Sequence, residues 1–222
     1  MNGDDLLGKP LSLVVALAIV SLLPFVFMSV TSFVKISTVF QIVRSAIGAQ
    51  NVPSSTVVMA LSAALTVVAM APVGSRIVDR VTPLVTAKES LPTGTLVRRG
   101  LEAVGEPMRE FLRANAHDRE RARFVTLAKD ARPESERDRV SESDFTVLVP
   151  AFVVSELGEA FAVGFLVFLP FLVIDLVVAN VLLSLGMQML SPTQVSLPFK
   201  LLLFVGIDGW GLLAEALVAG YR

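Results

Sequence analysis

Apolar residues run in long unbroken stretches along this chain, and the stretches predict helices. Residues 10–34 and 45–75 carry no charge. Residues 160–174 and 176–199 are charge-free on either side of Asp175, and 201–213 carry only Asp208. About twenty apolar residues span a bilayer core as a helix, so several of these runs are long enough. The first predicted segment covers 11–34, where Pro24 removes a backbone donor and should kink it. Residues 35–53 follow as a basic loop containing Lys35 and Arg44. Asn51-Val52-Pro53 then signals a turn, and a second helix starts at Ser54 or Ser55 and covers 56–72. Its Ala60 and Ala64, four apart, suit close helix packing.

The last third is the most apolar. A helix is predicted from Phe145 or Pro150, running with interruptions to Leu190. The 31 residues from Ala160 to Leu190 would extend about 46 Å as a helix, against a hydrocarbon core of roughly 30 Å. This predicts two segments broken near Pro170 or Asp175, or a long hairpin that does not simply cross a flat bilayer. Gly186 to Pro198 reads as a connector rich in helix breakers, and 201–219 as the final helix.

Between these halves the pattern changes. Val97, Leu101, Val104, Met108 and Phe111 form one helical stripe, which Gly105 and Pro107 should break or kink. A further helix is predicted over about 119–132, and 133–143 reads as a flexible link. Charge follows the same division. Of 39 charged side chains, 27 lie between Arg76 and Asp144, 14 basic and 13 acidic. That balance excludes the one-sided basic surface that nucleic-acid binding needs. The chain therefore divides into apolar helical segments (1–75), a charged insert (76–144) and apolar helical hairpins (145–222), with an all-α fold.

The remaining chemistry is sparse. There is no cysteine, so no disulfide or thiolate chemistry is available. The one histidine, His117, sits in a charged run and reads as solvated. No phosphate loop, paired metal-spaced histidines or nucleophile elbow is present. The chain reads as a non-enzyme with no cofactor and no metal. Residues 1–9 lack the basic start of a secretory signal, so the first apolar segment reads as retained. Lys35, Arg44 and Lys200, taken as loop charges, place those loops in the cytoplasm. The insert and the N-terminus then face outward, into the periplasm of a Gram-negative cell.

Five acids interrupt the apolar last third: Glu156, Glu159, Asp175, Asp208 and Glu215. Only Lys200 and Arg222 oppose them there. One charge at a bilayer centre costs at least ~2.5–3.5 kcal/mol. These acids therefore face a protein interior or headgroups, or they form inter-helix or inter-subunit pairs, or they line an aqueous path. For Glu156 the pairing reading is favoured, with Lys200 on the next apolar helix. In the connector, Met187 and Met189 are soft side chains that could close a pore around a passing chain, or simply fill a core. Gly206, Gly209 and Gly211 allow close backbone approach around Asp208. Trp210, Tyr221 and Arg222 could anchor at an interface, or the whole region could be ordinary helix packing.

Several continuous runs resemble one family. They are Pro150 to Leu157, Phe161 with Gly164-Phe165, Leu169 to Val177, Leu185 to Pro192, Ser196 to Val205, and Asp208-Gly209-Trp210. Thr31 to Ile36, Arg44, Ala46 to Gly48 and Met70 to Pro72 agree as well. Together they cover about two-thirds of the chain and are similar to the type III secretion export-apparatus family, whose members are the flagellar P subunit and the injectisome R subunit. That resemblance implies a subunit of a helical, ring-like export gate in the bacterial inner membrane. Five copies would assemble with four S-type subunits and one T-type subunit. The gate would project toward the periplasm at the base of the secretion needle, beside other export components, and unfolded secreted proteins would pass through it.

The resemblance also assigns roles. Met187, Gln188, Met189 and Leu190 would form the pore gasket. Because Gln188 and Leu190 replace methionines found in many relatives, the ring would be less uniform. Glu156 and Lys200 would pair between neighbouring subunits. Glu159, Asp175 and Asp208 would be buried polar groups of the assembly, and Pro24, Pro170, Pro198, Gly209 and Trp210 would shape and pack the helices. The connector sequence and the absence of a signal peptide favour the injectisome branch. Two other readings compete: a proton-conducting stator or small ion transporter using Asp175 or Glu156, and a plain membrane scaffold with the insert as its interaction module.

Overall fold

The computed structural model describes residues 4–49, 52–86 and 93–221. Eight α-helices follow one another in the described residues: α1 (Asp4–Val30), α2 (Phe33–Ile47), α3 (Ser55–Thr86), α4 (Thr93–Asn115), α5 (Asp118–Asp130), α6 (Phe145–Ser184), α7 (Pro192–Gly206) and α8 (Gly209–Ala219). No strand is found among the described residues, so the all-α expectation is met.

The stretch read as a basic loop is the central helix. Ile36, Val39, Phe40 and Val43 fall at helical spacing and are fully buried on α2. They pack against α6, whose Leu148, Ala151 and Phe152 are equally buried. Gly48, at φ +78°, closes α2 in a left-handed turn that few side chains tolerate. Close packing of α2 on α6 depends on a second glycine. A Cβ on Gly164 would come within 2.6 Å of Ile42 Cδ1.

The prolines do not end helices. Pro24 lies inside α1, Pro72 and Pro83 inside α3, Pro107 inside α4, Pro150 and Pro170 inside α6, and Pro198 inside α7. The expected break at Pro170 or Asp175 is absent, and α6 runs for 40 residues, about 60 Å. A proline costs a helix about 3 kcal/mol. Ending the helix in apolar surroundings would strand several backbone groups, each costing several kcal/mol, so continuation is the cheaper outcome. The sharp bends fall elsewhere, 73° between α1 and α2 and 57° between α7 and α8. The single final helix expected over 201–219 is therefore two.

Helix α3 crosses residue 76 without interruption and forms a hairpin with α4, where Glu110 takes Arg76 at 3.2 Å and Arg80 at 3.6 Å. The charge boundary is thus a change of composition within one helix. The stretch read as a flexible link contains a 3₁₀ helix, Glu134–Arg139. The start of α6 is fixed by Arg109 of α4. Its Nε donates to the Ser143 carbonyl at 3.0 Å, and its guanidinium lies 4.9 Å from the Phe145 ring centroid.

Among the described residues two helices, α3 and α6, are long and apolar enough to cross a membrane, and the number rises to four if each bent pair is one span. Much of that apolar surface is bare. Phe161, Phe165, Leu166, Val173 and Leu176 of α6 are all more than half exposed.

Candidate functional site

Helical spacing places Ser155, Glu156 and Glu159 on one face of α6, turned toward α2. Lys35 of α2 meets both carboxylates, at 3.3 Å from Glu156 Oε1 and 2.6 Å from Glu159 Oε2. Glu156 is wholly buried, and Tyr221 donates its hydroxyl to Glu156 Oε2. The Lys35 ammonium also sits 4.5 Å from the centroid of the Tyr221 ring, a cation–π contact. Glu159, on the outer side, reaches His117 Nε2 at 2.7 Å. One lysine thus joins α2, α6 and Tyr221, which follows α8, and the network continues to the junction of α4 and α5.

A second ionic knot lies further along α6. Lys200 of α7, nearly fully buried, donates to Asp175 Oδ2 at 2.7 Å and to the Ala46 carbonyl at 3.1 Å. Ser196, one turn earlier on α7, donates to the other oxygen of Asp175. Lys200 therefore pins α7 to α6 and satisfies a carbonyl at the end of α2, where a cation is favoured.

Within the chain, then, Glu156 and Lys200 have separate partners. Lys35, expected as a loop charge, is instead a buried counter-ion. Its signal was visible: a lone lysine after 25 uncharged residues, at the head of an apolar helical stripe. This relocation also removes support from the orientation reading, since Lys35 and Lys200 are buried helix residues and the positive-inside rule counts loop charges. Of the other predicted buried acids, Glu159 and Asp175 are partly exposed, while Asp208, like Glu215, is exposed in the single chain. Trp210 is half-buried and Tyr221 is buried. Trp210 lies between Phe40 and Phe204, and Tyr221 stacks on Phe111. Arg222 lies outside the described residues.

The connector leaves α6 through a defined stop. Gly186 takes φ +71°, the Met187 N–H reaches the Leu182 carbonyl at 2.9 Å, and the Gly186 N–H reaches Leu183 at 3.1 Å. These are the two bonds of a Schellman cap. The cap turns residues 187–190 away from the helix. Met189 is almost completely exposed, and Met187, Gln188 and Leu190 are exposed too. The core-filling alternative for the methionines is therefore excluded in the single chain. Pro192, in the first turn of α7, restarts the helix.

These features belong to a chain whose residues 16–217 match the FliP family. The chain is a member of that family. Within it, Yop proteins translocation protein R of Yersinia pestis is 41% identical over 215 residues, covering 97% of this chain and 98% of the relative. Hypersensitivity response secretion protein HrcR of Ralstonia nicotianae is 41% identical over 211 residues, covering 95% and 97%. Flagellar biosynthetic protein FliP of Caulobacter vibrioides is 40% identical over 222 residues, covering all of this chain and 80% of the relative. Translocation and flagellar relatives are thus equally similar, and identity does not separate the two branches. In this FliP-family chain the second ionic knot and the connector lie on the same pair of helices, α6 and α7. The same lysine that fastens α7 therefore also holds the connector's far end.

Proposed function

We propose that this chain is a non-catalytic structural subunit of a type III protein-export apparatus in the bacterial inner membrane. Membership of the FliP family, with similarity along nearly the whole length to proteins named for translocation and flagellar biosynthesis, carries this reading. The exposed apolar face of α6 supports it, because a surface of this kind must be covered by lipid or by protein. An open apolar cleft of about 460 Å³ between α6 and α7, lined by Val177, Val181, Val195 and Phe199 among others, adds to that surface.

In the finer reading, five copies enclose a conduit together with S-type and T-type subunits, and unfolded proteins travel through it. Residues 187–190 form the gasket, and the near-complete exposure of Met189 supports this role: a thioether free of its own protomer is available to close against sister copies. Replacing Met187 and Met189 together by alanine is expected to leave assembly intact and raise the ion conductance of the reconstituted complex several-fold. An unchanged conductance would remove the gasket.

The inter-subunit pair of Glu156 and Lys200 belongs to the same proposal, and it requires an exchange of partners on assembly, from Lys35 and Asp175. The chain has no cysteine of its own, so the E156C/K200C double variant reports this contact directly. Oxidation of the assembled complex should give a covalent ladder on a denaturing gel, and a lone monomer band would count against the pair. The ion-carrier alternative has less support, because both candidate carboxylates, Glu156 and Asp175, are already held by lysines.

A further inference from the structure

The apolar stripe of α4 is only partly covered. Leu101 is 70% exposed and Val104 is exposed too, while Met108, one turn further on, is half-buried. Phe25, 67% exposed, and Val26 face the same space from α1, and Val149 of α6 closes it. Together these side chains line an open hollow of about 660 Å³ between α1, α4 and α6. That size lies within the roughly 300–1,000 Å³ of ligand sites. Its wall is apolar, for the hydroxyl of Ser29, which also lines it, donates to the Phe25 carbonyl of its own helix.

At Gly105 the chemistry changes. A second hollow, of about 400 Å³, shares Leu101, Gly105 and Phe145 with the first, and Arg98, Glu102, Glu106 and Arg109 line the rest of it. Arg98 Nε donates to Glu102 at 3.0 Å with both side chains well exposed, and Arg109 pairs with Glu106. This charged shelf is neutral as a whole, yet it offers both signs on successive turns of α4. Gly105 keeps the two hollows open to each other. A Cβ there would stand 3.9 Å from the Phe145 ring, and anything longer would fill the passage.

We propose that the joined hollows bind one phospholipid with a zwitterionic headgroup, its acyl chain in the apolar groove and its phosphate and ammonium on the charged shelf. A groove of hydrocarbon that ends in charges of both signs fits an amphiphile whose head carries both. Arg98 has donors beyond the Nε that Glu102 takes, and a guanidinium is suited to phosphate. Glu102 and Glu106 take the ammonium. A headgroup with net negative charge would meet two carboxylates, and an apolar helix of a second copy would bury the shelf without matching it. The site lies where the charged insert meets the apolar helices, the depth at which a bilayer passes from hydrocarbon to headgroup. The inference rests on the membrane placement proposed above and not on the export role.

The test is native mass spectrometry of the full chain in detergent micelles supplied with equal amounts of phosphatidylethanolamine, phosphatidylglycerol and diacylglycerol, all with the same acyl chains. One phosphatidylethanolamine per chain should be retained, with a preference of about fivefold over either competitor, the size of one exposed ion pair. Gly105→Leu fills the passage, and leucine favours a helix more than glycine does. Its helix content by circular dichroism should hold while retention falls about tenfold, since each methylene left unburied costs roughly fourfold. Arg98→Gln, at a surface position, should keep a lipid but lose the preference over diacylglycerol. Equal retention of the three lipids, a preference for the anionic one, a lipid-free dimer, a Gly105→Leu chain that retains lipid like the wild type, or an Arg98→Gln chain with the wild-type preference overturns the site and leaves the membrane placement standing. A chain that stays monodisperse without detergent removes both.

Discussion

Replacing Lys35 by methionine is expected to destabilise the protein by about 3–5 kcal/mol, the cost of breaking a buried ion pair from one side. The size follows from where the charge is left. Glu156 has no exposed surface, and with Lys35 gone its remaining partner is the Tyr221 hydroxyl. A carboxylate with one neutral donor in an apolar interior must stay charged at high cost or take up a proton. Methionine matches the lysine stem in volume, so packing is little changed and the loss reports the charge. The measurement is reversible unfolding in mixed micelles, read as a shift of midpoint. Adding Glu156→Gln to the same chain should recover most of the loss, because the buried charge goes with its partner. A Lys35→Met protein as stable as wild type, or one that Glu156→Gln makes worse, would contradict the assignment of Lys35 as the central counter-ion.

The second large effect is expected at the elbow between α7 and α8. A Cβ on Gly209 would run into the Phe204 ring. That ring cannot turn aside, since it is 3% exposed and held between Phe171, 6.1 Å away, and Trp210, edge-on at 5.1 Å. Gly209→Ala should therefore cost about 1–3 kcal/mol through overpacking. Gly209→Val should exceed it, with the 57° bend opened. Phe204→Leu, which makes room, should offset part of the Gly209→Ala loss, so the two changes together cost less than their sum. Strict additivity in the same unfolding assay would mean that the contact does not set the elbow.

Helix positions were largely legible because long apolar runs permit little else, and the stripe from Val97 to Phe111 is present as α4. Three misreadings share one cause. Pro170, Lys35 and Lys200 were each interpreted by rules for isolated helices and loops. In the folded chain the surroundings decide: a proline is carried through a helix when stopping would strand more backbone groups, and a lysine beside carboxylates becomes a counter-ion. The stripe from Ile36 to Val43 would have identified α2 as a core helix. By contrast, nothing local to His117 indicated its contact with Glu159, 42 residues away. That pairing comes from how α5 lies along α6. The connector was the most legible part of the site, since Gly186 and Pro192 announce where one helix stops and the next starts.

The protomer quenches its own interior charges, Glu156 with Lys35 and Asp175 with Lys200. A lone copy therefore holds its interior carboxylates already matched by cations, and what it leaves unmatched is hydrocarbon, the bare face of α6.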